Sequence, residues 1–533
     1  MQVPSANTGC PAFAGHDKKR RKVTDLTVQS KLASNPGTDL FGHPRGLTFL
    51  FTTEMWERFS YYGMRSLLVL YMTKYLLLPE HAGGVRGLDA LKTALESVFG
   101  HLDVQPLSSQ IWGLYTGLVY FTPILGGLLA DRVLGQRRTV IVGASLMAIG
   151  HFMMAVEPLF LLALLFLILG NGCFKPNIST QVGGLYPPGD PRRDRAYSIF
   201  YVGINVGAFL APLICGTLGE KLGYHYGFAT AGVGMCLGLI IYLFASPLLP
   251  PDELQKRKMK IPPPQGVGSP PSARSRASST RYGEQGGEVA SAPSTAPSGS
   301  LTRANLPPAG GGGEQPLTTE QWRAIVALLV LYIPTTLFWA TYEQMGNTTI
   351  LWIDKNVDRT IDLFGFTAQI PTTWFLAFNP FMIFAFTPFV VMAWKRQAAR
   401  RVEPSTITKM SLGCFGVVAA NLVKAFAAYQ AGAGQANWLW VLGSIAIITV
   451  GELYLSPIGL SLVTKVAPAR ILSMMMGVWL STNFVGGFLA GYLGSFWSRM
   501  QPMQFFLMIA AVAAIAGIAI FLCRWPLKGA LRE

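Results

Sequence analysis

The sequence predicts an all-α polytopic membrane protein with twelve transmembrane helices in two six-helix bundles. Of the 533 residues, 51% are hydrophobic and only 13% are charged, a balance that is unusual for a soluble globular protein. Apolar runs of about 20 residues, the length that crosses a bilayer, recur along the chain in two groups of six. A long polar stretch separates the two groups, so each group is expected to form one bundle.

The predicted spans follow one another at short intervals within each group. The first six lie near residues 47–78, 109–131, 138–156, 159–178, 196–219 and 226–248, and the second six near 322–347, 370–394, 406–430, 438–465, 471–497 and 503–524. Between the groups the chain is rich in Pro, Gly, Ser and Ala and cannot bury enough apolar surface to fold alone. The predicted division is a tail (1–45), a first bundle (46–249), a flexible linker (250–320), a second bundle (321–525) and a short tail (526–533).

We interpret the formal net charge of +16 as a signal of membrane topology rather than of nucleic-acid binding, because of where the basic residues lie. The basic residues fall in loops and tails, and such loops face the cytoplasm. The loop after the seventh span instead carries Asp354, Asp358 and Asp362. We therefore expect both termini to be cytoplasmic, including the basic run KKRRK at Lys18–Lys22. No apolar core precedes a cleavage site, so a removable signal peptide is not expected.

The stretch TEMWERFSYYGMR, from Thr53 to Arg65, places four charges inside the first span. On a helix, one stripe carries the side chains of Glu54, Glu57, Arg58, Tyr61 and Arg65. A charge near the bilayer centre costs about 2.5–3.5 kcal/mol, so this stripe must face protein, water or a substrate. It predicts a proton-titratable, anion-binding surface on a transport path. The alternative is a buried ion-pair network that only locks helices together.

Three other spans carry ionisable residues in apolar surroundings. Lys175 precedes Pro176 in the fourth span, where the proline would open the local backbone and let the ammonium point inward. A lysine near a helix end could instead extend to the membrane interface. Glu343 and Glu452, in the seventh and tenth spans, are each candidates for a proton carrier or an ammonium partner.

Buried amides and aromatic side chains add candidates for a binding pocket. Tyr201 and Asn205 lie one turn apart in the fifth span, and Asn379 lies in the eighth. A buried asparagine needs hydrogen-bond partners, which either a substrate amide or a neighbouring helix can supply. Trp339 and Trp479 could line an apolar pocket, although packing or the interfacial belt explains most tryptophans in membrane proteins.

Together these stretches resemble the proton-dependent oligopeptide transporters, also called the peptide transporter family. Glu54–Gly63 resembles the family's ExxERFxYYG motif, and FYVGINVG at Phe200–Gly207 its second signature. FKPNIS, FWATYEQ, FNP and GELYLSPIGLS follow in the expected order, so the resemblance covers about residues 43–248 and 320–525. GLLADRVLGQRR, which begins at Gly127, resembles the signature loop of the major facilitator superfamily. The implied fold is that of this superfamily.

The resemblance also implies roles for individual residues. Proton coupling is implied for Glu54, Glu57, Arg58, Lys175 and Glu343. Contact with the peptide carboxylate is implied for Tyr61, Arg65 and Lys175, and contact with its amino terminus for Asn205, Asn379 and Glu452. Further substrate-binding residues are Tyr62, Tyr120, Tyr201, Trp339, Ser456 and Trp479. Arg65 and Glu343 are implied to form an outer gate.

The predicted function is a proton-coupled symporter that imports di- and tripeptides by alternating access in the plasma membrane or cell inner membrane. The alternatives are nitrate, another small anion or an amino-acid-like solute as cargo, or a membrane receptor that does not transport. The sequence contains no Gly-Lys, HExxH or GxSxG motif, so an enzyme is not expected. We expect no cofactor other than protons, no metal, no nucleic acid and no obligate protein partner, and a functional monomer. Many bacterial members of the family that the chain resembles carry two additional helices between spans six and seven; this linker is polar and rich in proline, so we expect no such helices here and twelve spans in all.

Overall fold

A computed structural model describes residues 42–187, 190, 192–251, 254, 318–363, 365–468 and 471–525. The basic run KKRRK, the last eight residues and most of the predicted linker lie outside the described residues. The predictions made for those segments therefore stay predictions.

Twelve helices of 18 or more residues make up most of the described ranges. In the first half they are α1 (Arg45–Tyr71), α2 (Val104–Leu129), α3 (Gln136–Met153), α4 (Phe160–Gly184), α5 (Arg192–Ala211) and α6 (Tyr224–Ala245). In the second half they are α7 (Thr319–Tyr342), α8 (Trp374–Ala399), α9 (Thr406–Ala431), α10 (Trp438–Val466), α11 (Leu472–Gly494) and α12 (Pro502–Leu522).

The helices pack in the same pattern in both halves. In the first half α1 packs on α5 and α6, α4 packs on α2 and α3, and α3 also packs on α6. In the second half α7 packs on α11 and α12, α10 packs on α8 and α9, and α9 also packs on α12. The two halves meet where α2 packs on α11 and where α5 packs on α8. Adding six to each helix number turns every pair of the first half into a pair of the second half. If the count returns to α1 after α12, the two contacts between the halves also exchange with each other, so the chain is an internal repeat with a two-fold relation between its halves.

Ten helical segments in the described ranges are long and apolar enough to cross a membrane. The two remaining long helices are α1, which carries the charged stripe, and α3, which begins with Gln136, Arg137 and Arg138. Both pack among the other helices of the first half. The protein is therefore an all-α polytopic membrane protein, and twelve crossings remain the expectation.

Glycines let the backbones of α2 and α11 touch. A Cβ on Gly113 of α2 would lie 2.7 Å from the Cα atom of Gly491 on α11, and a Cβ on Gly487 would lie 2.8 Å from the backbone nitrogen of Gly117. Real Cβ atoms do not approach other atoms this closely, so residues without a side chain are required here. The halves consequently meet along a stripe that is backbone on both sides.

The helix ends define two sides of the molecule. The near side holds the start of α1 and the connections from α2 to α3 and from α4 to α5, and the far side holds the opposite ends. Shorter elements are Met72–Leu76, Pro79–Ala82, Leu88–Phe99, Ala130–Leu134, Glu157–Leu159, Pro212–Gly216, Thr217–Lys221, Ser246–Leu248, Glu343–Met345, Thr348–Asn356 and Trp497–Arg499. The strands are β1 (Val357–Asp358), β2 (Thr360–Leu363), β3 (Phe366–Gln369) and β4 (Ala436–Asn437).

The acidic segment after α7 is more ordered than the polar loop that its charges suggested. It forms the helix Thr348–Asn356, and β2 and β3 then pair antiparallel with Thr360 opposite Gln369. Strand β1 pairs parallel with β4, which joins this segment to the start of α10. Charge alone does not reveal this order, because local hydrogen bonds stabilise it, including one from the backbone N–H of Thr360 to Asp358 Oδ1 at 3.0 Å.

Candidate functional site: a charged cavity between the halves

A cavity of about 610 Å³ lies between the two halves. Helices α1, α2, α4 and α5 line it from the first half, and α7, α8, α10 and α11 from the second. Of the residues named from the sequence, the following line it: Tyr62, Arg65, Tyr120, Lys175, Tyr201, Asn205, Trp339, Glu343, Asn379, Glu452, Ser456 and Trp479. Residues from distant parts of the chain are therefore brought to one chamber.

Two cations from the first half face this cavity. Arg65 forms an ion pair with Glu343 of the second half, and its guanidinium carbon lies 5.1 Å from the ring centre of Trp112. Its Nε is buried and, within the described residues, has no hydrogen-bond partner. The ammonium of Lys175 lies 4.8 Å from the ring centre of Tyr120. This side of the cavity thus presents two cationic side chains to an anionic group.

Glu452 on α10 provides a carboxylate from the second half. Its Oε2 accepts hydrogen bonds from the Tyr342 hydroxyl at 2.7 Å and from Asn379 Nδ2 at 3.1 Å. Asn379 also donates to Thr449 Oγ1 at 3.0 Å, which fixes the amide. Since both of these hydrogen bonds to Glu452 end on Oε2, its Oε1 is available to a cationic group in the cavity.

A second carboxylate cluster lies beside the cavity, inside the first half. Glu54, Glu57 and Arg58 are only 2%, 0% and 4% exposed. Arg58 Nε lies 3.2 Å from Glu54 Oε1, and Arg58 binds Glu57 through two nitrogens. Asn171 on α4 donates to Glu57 Oε1 at 3.3 Å. Glu54 Oε2 is buried and has no hydrogen-bond partner in the described part of the chain. Its lone pairs are therefore free to take up a proton.

The stripe on α1 therefore divides along its length. Glu54, Glu57 and Arg58 lie against α4 within the first half, whereas Arg65, two turns further on, reaches α7 of the second half. Lys175 lies close enough to act electrostatically on Glu54 and Glu57. However, the close ion pairs of these two carboxylates within the described residues are made with Arg58.

Tyr61 lies outside the cavity, although a contact with the substrate is expected for it. Tyr61 is 4% exposed and is not one of the residues that line the cavity. Its ring packs on Arg58, at 5.2 Å from the guanidinium carbon, and edge-on against Tyr62 at 5.1 Å. Successive residues on a helix point about 100° apart, so Tyr62 faces the cavity in its place. Tyr61 therefore has no open path to the cavity in this conformation, and its contact with a substrate stays a prediction.

The remaining candidates form the walls of the cavity. Asn205 donates to the carbonyl of Tyr201 on its own helix at 2.9 Å, which leaves its side-chain oxygen for a ligand. Trp339 Nε1 is buried with no hydrogen-bond partner among the described residues, so it is a spare donor in the wall. Trp479 packs edge-on against Tyr332 at 5.7 Å and covers Gly459.

The structure adds four candidates at or beside the cavity that were not singled out from the sequence. Tyr342 and Asn483 line it, Trp112 covers Arg65, and Asn171 binds Glu57. Three of them carry a usable signal: Tyr342 directly precedes Glu343, Asn483 lies one helical turn after Trp479, and Asn171 lies one turn before Lys175. Trp112 lies in an apolar run with no charged neighbour, so only the packing of α2 reveals it.

Polar contacts between the halves close the cavity on the far side. They are Arg65 with Glu343, Lys74 with Asp354 at 2.9 Å, Ser109 with Asn347 at 3.0 Å, Gln105 with the carbonyl of Gly494 at 3.0 Å, and Glu220 with Thr372 and Thr373. Towards the near side, Tyr201 of α5 lines the cavity and is 51% exposed, and the described residues form no hydrogen bond or ion pair between the halves there. The cavity is therefore shut on the far side and open on the near side.

Comparison with known proteins identifies the family. A sequence model of the POT family matches residues 137–261 and 313–510. A protein named peptide transporter from Yersinia enterocolitica is 32% identical over 93% of this chain and 95% of its own length. A di-/tripeptide transporter from Lactococcus lactis is 32% identical over 91% of this chain and 96% of its own length.

A solved structure shows the same architecture. The crystal structure of a POT peptide transporter in complex with sulfate is 29% identical, with a TM-score of 0.72 over 94% of this chain and 99% of that one. The match spans both halves and the cavity between them. The chain therefore belongs to the POT family and is a transporter of the major facilitator fold rather than an enzyme.

Proposed function

We propose that the protein is a proton-coupled symporter that imports di- and tripeptides. The observation that carries this proposal is the separation of charge in the cavity, with Arg65 and Lys175 on the first half and Glu452 on the second. A peptide in solution carries a carboxylate at one end and an ammonium at the other, so it fits two opposite poles. Two of the similar proteins are themselves named peptide transporters, which supports the same cargo.

The spare polar atoms suggest how a peptide would bind. Its carboxylate would accept hydrogen bonds from Lys175 and from the guanidinium of Arg65, while its ammonium would donate to Glu452 Oε1. The Asn205 side-chain oxygen would accept from the peptide N–H, which needs a partner once it leaves water. An extended residue spans about 3.3–3.6 Å, so each added residue moves the poles apart by that length. Short peptides are therefore preferred.

The buried carboxylates suggest how a proton would be coupled to this binding. A proton on Glu54 Oε2 would weaken the attraction between Glu54 and Arg58, and the freed charge would act on the nearby Lys175. Protonation of Glu343 would break its ion pair with Arg65, which joins the halves on the far side. Proton binding would thus loosen the far gate and release Arg65 for the peptide carboxylate.

We infer a stage of the cycle from the closed far side together with the expected topology. We place both termini, and so the near side, in the cytoplasm, because the basic loops lie on that side. The cavity open to the near side is then the conformation that releases peptide and proton inward. We expect a monomer to carry out this cycle in the inner or plasma membrane, because both poles come from one chain.

The test is uptake into liposomes with an imposed pH gradient. Wild-type protein should accumulate radiolabelled dialanine, and a protonophore should abolish the accumulation. Glu57→Gln should reduce the driven uptake but leave binding of dialanine measurable. Binding without any accumulation by the wild type would instead indicate a receptor and overturn the proposal.

A small anion is the second candidate, because a similar transporter binds sulfate in its crystal structure. The anion would use Arg65 and Lys175 but would have no group for Glu452. Nitrate uptake by the same liposomes, with nitrate and dialanine offered separately, distinguishes the two. Uptake of nitrate without uptake of dialanine would replace the peptide proposal.

A further inference from the structure

Glu220 of the first half caps the start of α8 in the second half. Its Oε2 accepts from the backbone N–H of Thr372 at 2.8 Å. Its Oε1 accepts from the backbone N–H and from the hydroxyl of Thr373, both at 2.7 Å. Thr373 is the residue that precedes the first turn of α8, and its own side chain makes no cap hydrogen bond to that helix. The cap of α8 therefore comes from the other half of the molecule.

This contact stabilises α8 because the ends of helices leave backbone groups without partners. The first N–H groups of a helix have no partner inside it, and the aligned peptide dipoles place partial positive charge there. A carboxylate satisfies both demands, which is why acidic side chains are favoured at this position. In most helices the capping residue is a neighbour in sequence, whereas Glu220 and Thr372 are 152 positions apart.

Neighbouring groups hold the carboxylate in place. Glu220 lies on Thr217–Lys221, which prolongs α5, and Thr217 Oγ1 accepts from the indole Nε1 of Trp374 at 2.7 Å. Arg359 lies 3.9 Å from Glu220 and 3.9 Å from Asp354. Thr372 also donates its hydroxyl to Asp354 Oδ1 at 3.2 Å. The far ends of α5 and α8 are therefore joined by a compact polar contact that is separate from the Arg65–Glu343 pair.

We propose that Glu220 is a positioning residue that holds the far gate shut by capping α8 across the interface. This inference rests on the alternating access of the proposed function. When the far ends of α5 and α8 separate, Glu220 must leave the N–H groups of Thr372 and Thr373, and both partners must be rehydrated. The closed far side is consequently favoured as long as the cap is in place, and a residue without a carboxylate shifts the protein towards the far-side-open conformation.

The first experiment measures the cap directly, by hydrogen exchange of the peptide that contains Thr372 and Thr373. In lipid nanodiscs, Glu220→Ala should speed exchange of these two amides by about tenfold or more, since charge-assisted hydrogen bonds to them are lost. Glu220→Gln, which keeps one acceptor oxygen, should have a smaller effect. The matched control is Asp358→Asn, which removes a carboxylate that binds a backbone N–H on the same side but within one half. It should leave these amides unchanged.

The second experiment measures the gate by the distance between two spin labels. Leu222, which is 63% exposed, and the exposed Thr367 lie on opposite halves at the far side. The labels are attached at Leu222→Cys and Thr367→Cys in a parent whose native cysteines are replaced. The population with the longer distance between the labels should rise about tenfold in Glu220→Ala over this parent. It should rise less in Glu220→Gln and should not rise in Asp358→Asn. A residue that only stabilises the fold would change the melting temperature but not this distribution.

Transport adds a readout that separates this inference from the proposed function. A larger far-side-open population lowers the apparent KM for external dialanine, because the binding-competent state is more often present. Unchanged exchange and an unchanged distance distribution in Glu220→Ala, with folded protein and normal uptake, would overturn the inference alone. A wild type that shows no pH-driven uptake would instead overturn the proposed function, while the exchange and distance measurements still decide the role of Glu220.

Discussion

Glu452→Gln tests the negative pole of the cavity. The change keeps the size of the side chain and an acceptor for Tyr342, but it removes the charge that the peptide ammonium would meet at Oε1. A hydrogen bond to a charged group contributes about 1.5–3 kcal/mol, and each 1.4 kcal/mol is a factor of ten, so KM for dialanine should rise about 10- to 100-fold. The measurement is the initial rate of pH-driven uptake into liposomes over a range of dialanine concentrations.

The control for this prediction lies in the substrate. Lactoyl-alanine carries a hydroxyl in place of the amino group, so it cannot pair with Glu452 as a cation. Wild-type protein should bind it more weakly than dialanine, and Glu452→Gln should bind both with similar affinity. If the variant keeps the wild-type KM for dialanine, or if both ligands lose affinity equally, Glu452 does not bind the amino terminus and the reasoning is wrong.

Three further predictions concern proton coupling, packing and the gate. Glu54→Gln should lower the gain in uptake from a pH gradient by about 5- to 150-fold, the range of ordinary coupling energies, while exchange of labelled for unlabelled peptide continues without a gradient. Gly126→Val should lower the free energy of unfolding by about 1–3 kcal/mol, seen as a lower melting temperature, because a Cβ there collides with the carbonyl of Gly172; Gly127→Ala, in open space, should not. Lys74→Gln should leave uptake within about fivefold of wild type, since Lys74 is 50% exposed and such ion pairs contribute at most about 1 kcal/mol.

The sequence predicted the helical architecture well because long apolar runs have few other solutions in a membrane. Its errors lie where hydropathy is a poor guide. Helix α4 continues to Gly184, beyond the predicted end near residue 178, although the first three added residues, Ser179, Thr180 and Gln181, are polar. Their side chains bond back to their own helix, as Ser179 does to the carbonyl of Lys175 at 3.1 Å and Thr180 to that of Pro176 at 2.8 Å. These bonds let polar residues extend a helix that a hydropathy window ends.

The charged residues of the candidate site could be predicted from the sequence because charged side chains are rare in transmembrane spans. Arg65, Lys175, Glu343 and Glu452 each stood out for this reason, and the structure brings all four to one cavity. Their roles in transport stay predictions. Glu220 could not be found in this way, because GEK at the end of a span resembles any polar loop. Two of its three hydrogen bonds come from backbone N–H groups, which leave no trace in a sequence.

The glycine stripe between α2 and α11 has a consequence for how the halves move. Interlocked side chains would have to withdraw from their pockets before either half could turn, but Gly113 and Gly117 offer nothing that must withdraw. At these glycines the two backbones touch directly and can turn against each other, whereas the rings of Phe121 and Phe484, 5.3 Å apart further along, would have to slide. A methyl group added at Gly113 would act as a wedge, which would push the halves apart along the line on which they pivot.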